Sequence, residues 1–388
     1  MKGELNFFVI WENTRKNTDE ILQNIGKKFE IHEVYEITWD PKKFTKNLRR
    51  FYGANLPNPI RKTAECGTGP FLLVLVIDNE PKYDMRRTSN GMQSVNINIY
   101  DGKVNFRRML GVGYPIHSAI HQKEVNHDLT LLLNENKEDI ILKLPNRWDG
   151  TLKKIDTDLV GTNGWENLNE LLYVLNSTTN YVILRNFEQF PDKFNSKEHE
   201  DLDILTDDMF QIQYILDQRN FAGNNVKDNP TLKIDNKKIL FDVKYVSGRY
   251  YDEKWSRDIL DRRILSSKGF YIPCVKDHFY SLLYHMIIHK SKLSDNYIDR
   301  LVILADKLHL NIQKDTFSNL DMLKEILDEF LKEMGYKYTD SYRYKIKHNE
   351  IIRLYKVATF TAKNEGMNTL IRAIKQKIKK ITRGENYN

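Results

Sequence analysis

The chain has 388 residues, 40% of them apolar and 11% aromatic, which predicts two or three domains with ordinary cores. Its net charge of +7 is uneven: from Ser341 onward twelve Lys/Arg stand against three Glu, a net of +9, leaving about −2 for the preceding 340 residues. Two distant cysteines, Cys66 and Cys274, exclude a disulfide framework and point to a reducing cytoplasm; no apolar run is long enough for a membrane span, and MKGELNFFVIWENTRK lacks a signal-peptide cleavage pattern.

The first half alternates strand and helix patterns. LNFFVIW (5–11) reads as a strand, and TDEILQNIGKKF (18–29) as a helix with Ile21, Leu22, Ile25 and Phe29 on one face. EIHEVYEITW (30–39) alternates as a half-buried strand. DPKKFTKNLRRFYG (40–53) reads as a helix opened by Asp40 and Pro41 and closed by Gly53. GPFLLVLVID (69–78) is apolar throughout, as a central strand is, and SVNINIY (94–100) reads as a further strand. HQKEVNHDLTLLL (121–133) is a helix. The polar, aperiodic stretch 143–165 is expected to hold a domain boundary.

The second half opens with a helix (166–178) and a strand, YVILRNF (181–187). A polar loop leads to the strand DLDILT (201–206), followed by a helix (210–220) and a hairpin (232–246) turning at Asp235-Asn236. KDHFYSLLYHMIIHKSKL (276–293) is a helix, and more helices follow. The expected architecture is α+β: an α/β sandwich over 1–145, a mixed-sheet domain over 166–305 and a helical region over 306–388.

The stretch EHEDLDILTDD (198–208) carries six acidic side chains in eleven residues. Asp201 and Asp203, two apart on a strand, point to one face, while Leu202 and Ile204 point to the other. Paired carboxylates on one face suit Mg²⁺, which takes hard oxygen ligands shared with substrate phosphates. Asp242, a lone acid between Phe241 and Val243, is the best candidate for a third ligand.

These residues, with the strand before them and the helix after, resemble the nucleotidyltransferase superfamily with the DNA polymerase β type of fold, over about 166–305. The resemblance implies that Asp201, Asp203 and Asp242 hold Mg²⁺ and that a nucleotidyl or related phosphoryl group passes from a nucleotide-linked donor to a hydroxyl, with Asp242 helping to deprotonate it. The family's glycine turn ahead of the acidic pair is replaced here by Arg185-Asn186, so a guanidinium stands where amides would hold phosphate. Lys290 is either a further phosphate contact or an exposed helix lysine. His285 and His289 share a helix face; without a third ligand nearby they read as packing or hydrogen-bonding residues rather than a zinc site.

In the first half, RRTSNG (86–91), NFRRML (105–110) and IHSAIHQKEVNHD (116–128) are similar in order to nucleoside diphosphate kinase, which implies a ferredoxin-like sheet. His117 would be the phosphorylated histidine, Asp128 its supporting acid, and Arg86 or Arg87 with Arg107 or Arg108 the phosphate contacts. Trp11-Glu12 stand where that family has a lysine, and Ala119 where it has a serine. The reading is therefore shared fold rather than shared activity, and a histidine phosphotransferase is the alternative.

LIRAIKQKIKKITR (370–383) reads as a basic amphipathic helix. It could lie on an anionic membrane, bind nucleic-acid phosphates, or pack on its own domain. The combined expectation is a cytoplasmic enzyme, peripheral on the inner membrane face, that transfers to a sugar, polyol or glycan. A phospho-polyol transfer from a CDP-linked donor and a role in surface polysaccharide assembly belong to that expectation. A non-catalytic nucleotide-binding protein is the other alternative.

Overall fold

A computed structural model of the chain describes residues 3–339 apart from 57, 90, 112–115, 189, 192–200, 217–230, 235–236, 291–292, 294 and 313. The basic stretch 370–383, the acids Glu198 and Glu200 and the hairpin turn Asp235-Asn236 lie outside the described residues.

The architecture is mixed α+β. In chain order the first half contains β1 (Glu4–Ile10), α1 (Thr18–Gly26), β2 (Glu30–Ile37), α2 (Phe44–Tyr52), α3 (Pro59–Cys66) and β3 (Phe71–Asp78). Then come the hairpin β4 (Tyr83–Thr88) and β5 (Gly91–Asn96), α4 (Ile97–Leu110), β6 (Ile116–His117), α5 (Gln122–Leu133), α6 (Lys137–Lys143) and β7 (Leu152–Ile155). The first sheet has the order β6-β1-β3-β2-β7. β3 runs antiparallel to both β1 and β2, β6 antiparallel to β1, and β7 parallel to β2.

β3 is buried at every position because both faces of the sheet are covered. The period-2 pattern sorts the core: Phe8, Ile10, Leu72, Val74 and Val76 pack with Ile21, Ile25, Ile99 and Phe106 on one side. Phe7, Val9, Leu73 and Leu75 pack with Leu48, Phe51, Val125 and Leu129 on the other.

Three parts of the first half differ from the sequence-based expectation. Residues 97–100 are helical, because the Asn96 side chain accepts from the Asn98 and Ile99 amides and starts α4 there. The α2 helix begins at Phe44 rather than Pro41, since Asp40 Oδ1 accepts from the Lys42 amide and forms a turn instead of a cap. The polar stretch 143–165 contributes β7, a mostly exposed edge strand without an apolar face.

The second half comprises α7 (Leu168–Thr178), β8 (Tyr181–Ile183), β9 (Asp201–Thr206), α8 (Met209–Ile215), β10 (Thr231–Ile234), β11 (Lys237–Tyr245) and α9 (Glu253–Asp261). The small hairpin β12 (Ile264–Leu265) and β13 (Tyr271–Ile272) follows, then α10 (Val275–Tyr284), α11 (Asp295–Lys307) and α12 (Leu320–Met334). The α10 helix runs on through a π-helical turn, His285–Lys290. The second sheet has the order β10-β11-β9-β8, with β9 parallel to β11 and antiparallel to β8.

Leu202, Ile204, Phe241 and Val243 join the buried cluster that also holds Phe7 and Leu129. Val182, Leu184 and Leu205 face a separate cluster with Trp255, Phe279, Leu301 and Phe330 of the C-terminal helices. Arg50, fully buried on α2, donates to the Tyr214 and Ile215 carbonyls at the end of α8 and to the Val160 carbonyl. It thereby ties the end of α8 to α2 and to the segment at Val160. Among the described residues no helix is long and apolar enough to cross a membrane.

Candidate metal centre

Strand alternation sends Leu202 and Ile204 into the core and leaves Asp201 and Asp203 on the opposite face. The parallel register pairs Asp203 with Asp242 on the neighbouring strand. Asp201, Asp203 and Asp242 each offer a carboxylate oxygen, and these atoms lie within 4.8 Å of one another. Three hard oxygen donors without a thiolate or imidazole suit a hard divalent cation.

Two cations are already in contact with the trio. Arg185, just past the end of β8, donates to Asp203 Oδ1 at 2.5 Å, and Lys244 donates to Asp242 Oδ1 at 2.5 Å. Asp203 and Arg185 are 4% and 3% exposed. Burial raises the Asp203 carboxyl above its ordinary range, opposed by Arg185 and reinforced by Asp201 and Asp242. Burial acts to lower Arg185, but Tyr250 and Asp203 outweigh it and hold the guanidinium charged.

Tyr250 organises both cations. Its hydroxyl accepts from Arg185 at 2.8 Å and bonds His285 Nδ1 at 2.9 Å. Lys244 Nζ lies 4.9 Å from the centre of the Tyr250 ring and the Arg185 guanidinium 5.7 Å from it. His289 packs against that ring with centroids 4.1 Å apart. Burial, first, and the nearby Arg185 keep His285 and His289 neutral, His289 being pulled down to about 3. Among the described residues no third ligand joins these two histidines, and their contacts orient Tyr250.

Asn186 takes a left-handed φ of 64° and its Oδ1 accepts from Arg300 at 3.2 Å, so it serves the turn that aims Arg185. Lys290 is exposed at the end of the π-helical turn. Sequence reasoning missed Lys244, Tyr250 and Arg300. Only Lys244 carried a signal, being two residues from Asp242 on the same strand face.

A second polar cluster sits in the first sheet. His117 Nε2 lies 2.9 Å from Asp128 Oδ2, and His127 Nδ1 lies 2.8 Å from Asp128 Oδ1. The His117 ring is walled by Phe7, Phe51 and Tyr52. Burial pushes the Asp128 carboxyl up to about 7, with His117 opposing, and draws His127 down to about 4. Burial also lowers His117 itself, against the pull of Asp128.

Lys103 donates to the Ser118 carbonyl and Arg107 to the Ile116 carbonyl, so both border the histidine strand. Arg108 is exposed on α4, and Arg87 is exposed on the β4–β5 hairpin, where Arg86 pairs with Asp84. Of the arginines expected near His117, Arg107 is the one tied to its strand. His117, Glu124 and Asp128 also offer ligand atoms within 4.8 Å of one another, but Glu124 Oε2 accepts from the Ile120 amide and Asp128 serves two imidazoles.

No family model, no curated protein and no solved structure matches this chain.

Proposed function

We propose that the protein is a Mg²⁺-dependent transferase of the nucleotidyltransferase type. It would move a nucleotidyl or phospho-polyol group from a nucleotide-linked donor to the hydroxyl of a sugar, polyol or glycan. The observation that carries this reading is the carboxylate trio on two parallel strands, Asp203 and Asp242 in register, with its oxygens within 4.8 Å.

The order of strands β8, β9 and β11, with acids on the second and third, supports a polymerase-β-type second domain. The order β6-β1-β3-β2 supports a ferredoxin-like first domain. When bound between Asp201, Asp203 and Asp242, a divalent cation supplies charge stabilisation for the attacking and leaving oxygens of phosphoryl transfer. Arg185 and Lys244 then meet phosphate oxygens, and Asp242 accepts the proton of the acceptor hydroxyl. The glycan acceptor and a role in surface polysaccharide assembly rest on analogy with the family rather than on a residue.

Thermal melts with ATP, GTP, CTP, UTP, CDP-glycerol and CDP-ribitol test the reading, each with and without Mg²⁺. A Mg²⁺-dependent rise with one donor, absent in Asp203→Asn, is the expected result. No rise with any donor sinks it.

A second reading, phosphohistidine chemistry, is favoured by the His117–Asp128 contact of 2.9 Å. An acid bonded to Nε2 orients the ring and leaves Nδ1 as the nucleophilic nitrogen. A phosphoryl label that survives Asp203→Asn and disappears in His117→Ala selects it.

A further inference from the structure

Three carboxylates meet two cationic side chains here: Arg185 bonds Asp203 and Lys244 bonds Asp242. Without a ligand the site is therefore nearly balanced. A divalent cation placed among the carboxylates would add positive charge beside two fixed cations. A ligand carrying phosphate reverses that excess.

Both resident cations are also anchored at a point other than the carboxylates. The Tyr250 hydroxyl holds Arg185 at 2.8 Å, and the Tyr250 ring lies 4.9 Å from Lys244 Nζ. Losing the Asp203 and Asp242 contacts would leave both cations held beside Tyr250, where a phosphate would meet them.

Resting on the metal-site reading above, we infer that Arg185 and Lys244 are resident counter-cations of the carboxylate trio. They are handed over to a phosphate-bearing ligand as the divalent cation arrives, so that cation and ligand bind cooperatively and neither binds well alone. Linkage requires the effect to be reciprocal, and couplings of this kind span roughly 5- to 150-fold in affinity. Arg185 and Lys244 thus act as a lock on empty metal loading, besides contacting phosphate.

Calorimetric titrations with Mg²⁺ alone, pyrophosphate alone, and both together test this. They are run on the full chain as wild type, Arg185→Gln, Lys244→Met and Asp203→Asn, each first shown by its melt to be folded. The expected result is weak binding of either probe alone to wild type. Together they bind at least about fivefold tighter than the separate constants predict, after correction for Mg²⁺–pyrophosphate association. In Arg185→Gln and Lys244→Met, Mg²⁺ alone binds tighter and the coupling shrinks.

Equal Mg²⁺ affinity in wild type and both variants, abolished by Asp203→Asn, overturns the inference while the metal site stands. Absence of Mg²⁺ binding from every form, with or without pyrophosphate, overturns the metal site itself. Lys244→Met decides the matter if Arg185→Gln does not fold, because Lys244 pairs with an acid nearer the surface.

Discussion

Two buried aspartates, Asp203 on β9 and Asp128 on α5, meet the same physical problem and answer it differently. Each is 4% exposed or less, and burial raises the carboxyl of each. Asp203 is compensated by a guanidinium that stays charged at any working pH. Asp128 instead bonds two imidazoles, both of which burial holds below their ordinary range, His127 at about 4. The first arrangement pairs a buried charge with a permanent counter-cation. The second joins three groups that can each gain or lose a proton. Similar burial therefore gives one site with a permanent counter-charge and another whose partners can themselves titrate.

The largest effect is expected where the compensation is permanent. Arg185→Met leaves Asp203 buried beside Asp201 and Asp242 with its counter-charge removed. Breaking a buried pair in this way costs about 3–5 kcal/mol, read from urea unfolding at neutral pH. A loss below about 1 kcal/mol would mean that the guanidinium adds nothing beyond a surface pair. It would also erase the contrast between the two sites.

Next comes the pH dependence at Asp128. Its folded-state pKa of about 7 lies above the unfolded value, so its contribution is fully present below about 4 and lost as pH rises through about 7. His127 acts in the opposite sense: held down to about 4 when folded, it makes stability fall as pH drops from its ordinary range through about 4. The two offset each other in wild type. In Asp128→Asn the histidine side is unopposed. The stability gap between wild type and variant should then widen as pH falls from about 7 to about 4, by at most about 1.4 kcal/mol per pH unit. A constant gap in denaturant melts across that range would show that the Asp128 carboxyl is not raised in the folded protein. The corresponding gap for Arg185→Met should stay flatter near neutral pH, which sharpens the comparison.

Lys244→Met should cost less, about 1 kcal/mol by urea unfolding. Its pair with Asp242 is only partly buried, with 15% and 19% of the side chains exposed. A cost rivalling that of Arg185→Met would place both cations in one inseparable unit.

How much of this was legible in the sequence follows from where each signal resides. Asp201 and Asp203 were readable because strand alternation is local and Leu202 and Ile204 mark the buried face. The pairing of Asp242 with Asp203 depends on a parallel register set by tertiary packing, so sequence could nominate Asp242 but not place it. Tyr250 and His285 are 35 residues apart and meet through helix packing, which leaves no pattern along the chain. The expectation of a strand over 94–100 held for 94–96 and failed at 97–100, for the opposite reason. Val95, Ile97 and Ile99 alternate as a strand does, yet the capping bonds of Asn96 override that period. The strand β7 was hidden because an exposed edge strand needs no apolar face.

The smallest predicted effect tests whether the two sites are independent. Gln211, in the first turn of α8, lies with its Nε2 2.5 Å from His127 Nε2. With Nδ1 of that neutral ring turned to Asp128, Nε2 is left as an acceptor, and the Gln211 amide donates to it. A chain of hydrogen bonds thus runs from His117 through Asp128 and His127 to α8, the helix that follows the strand bearing Asp201 and Asp203. Gln211→Leu removes the last link at a cost of about 0.5–1.5 kcal/mol. A double-mutant cycle with His127→Leu should return a coupling of about 0.5 kcal/mol or more, since the two side chains touch. Pairing Gln211→Leu with Asp203→Asn should instead be additive within about 0.5 kcal/mol if the centres differ only in how they compensate buried charge. A larger coupling in that second cycle would mean that the protonation state around Asp128 reaches the carboxylate trio, making the switchable site an input to the fixed one.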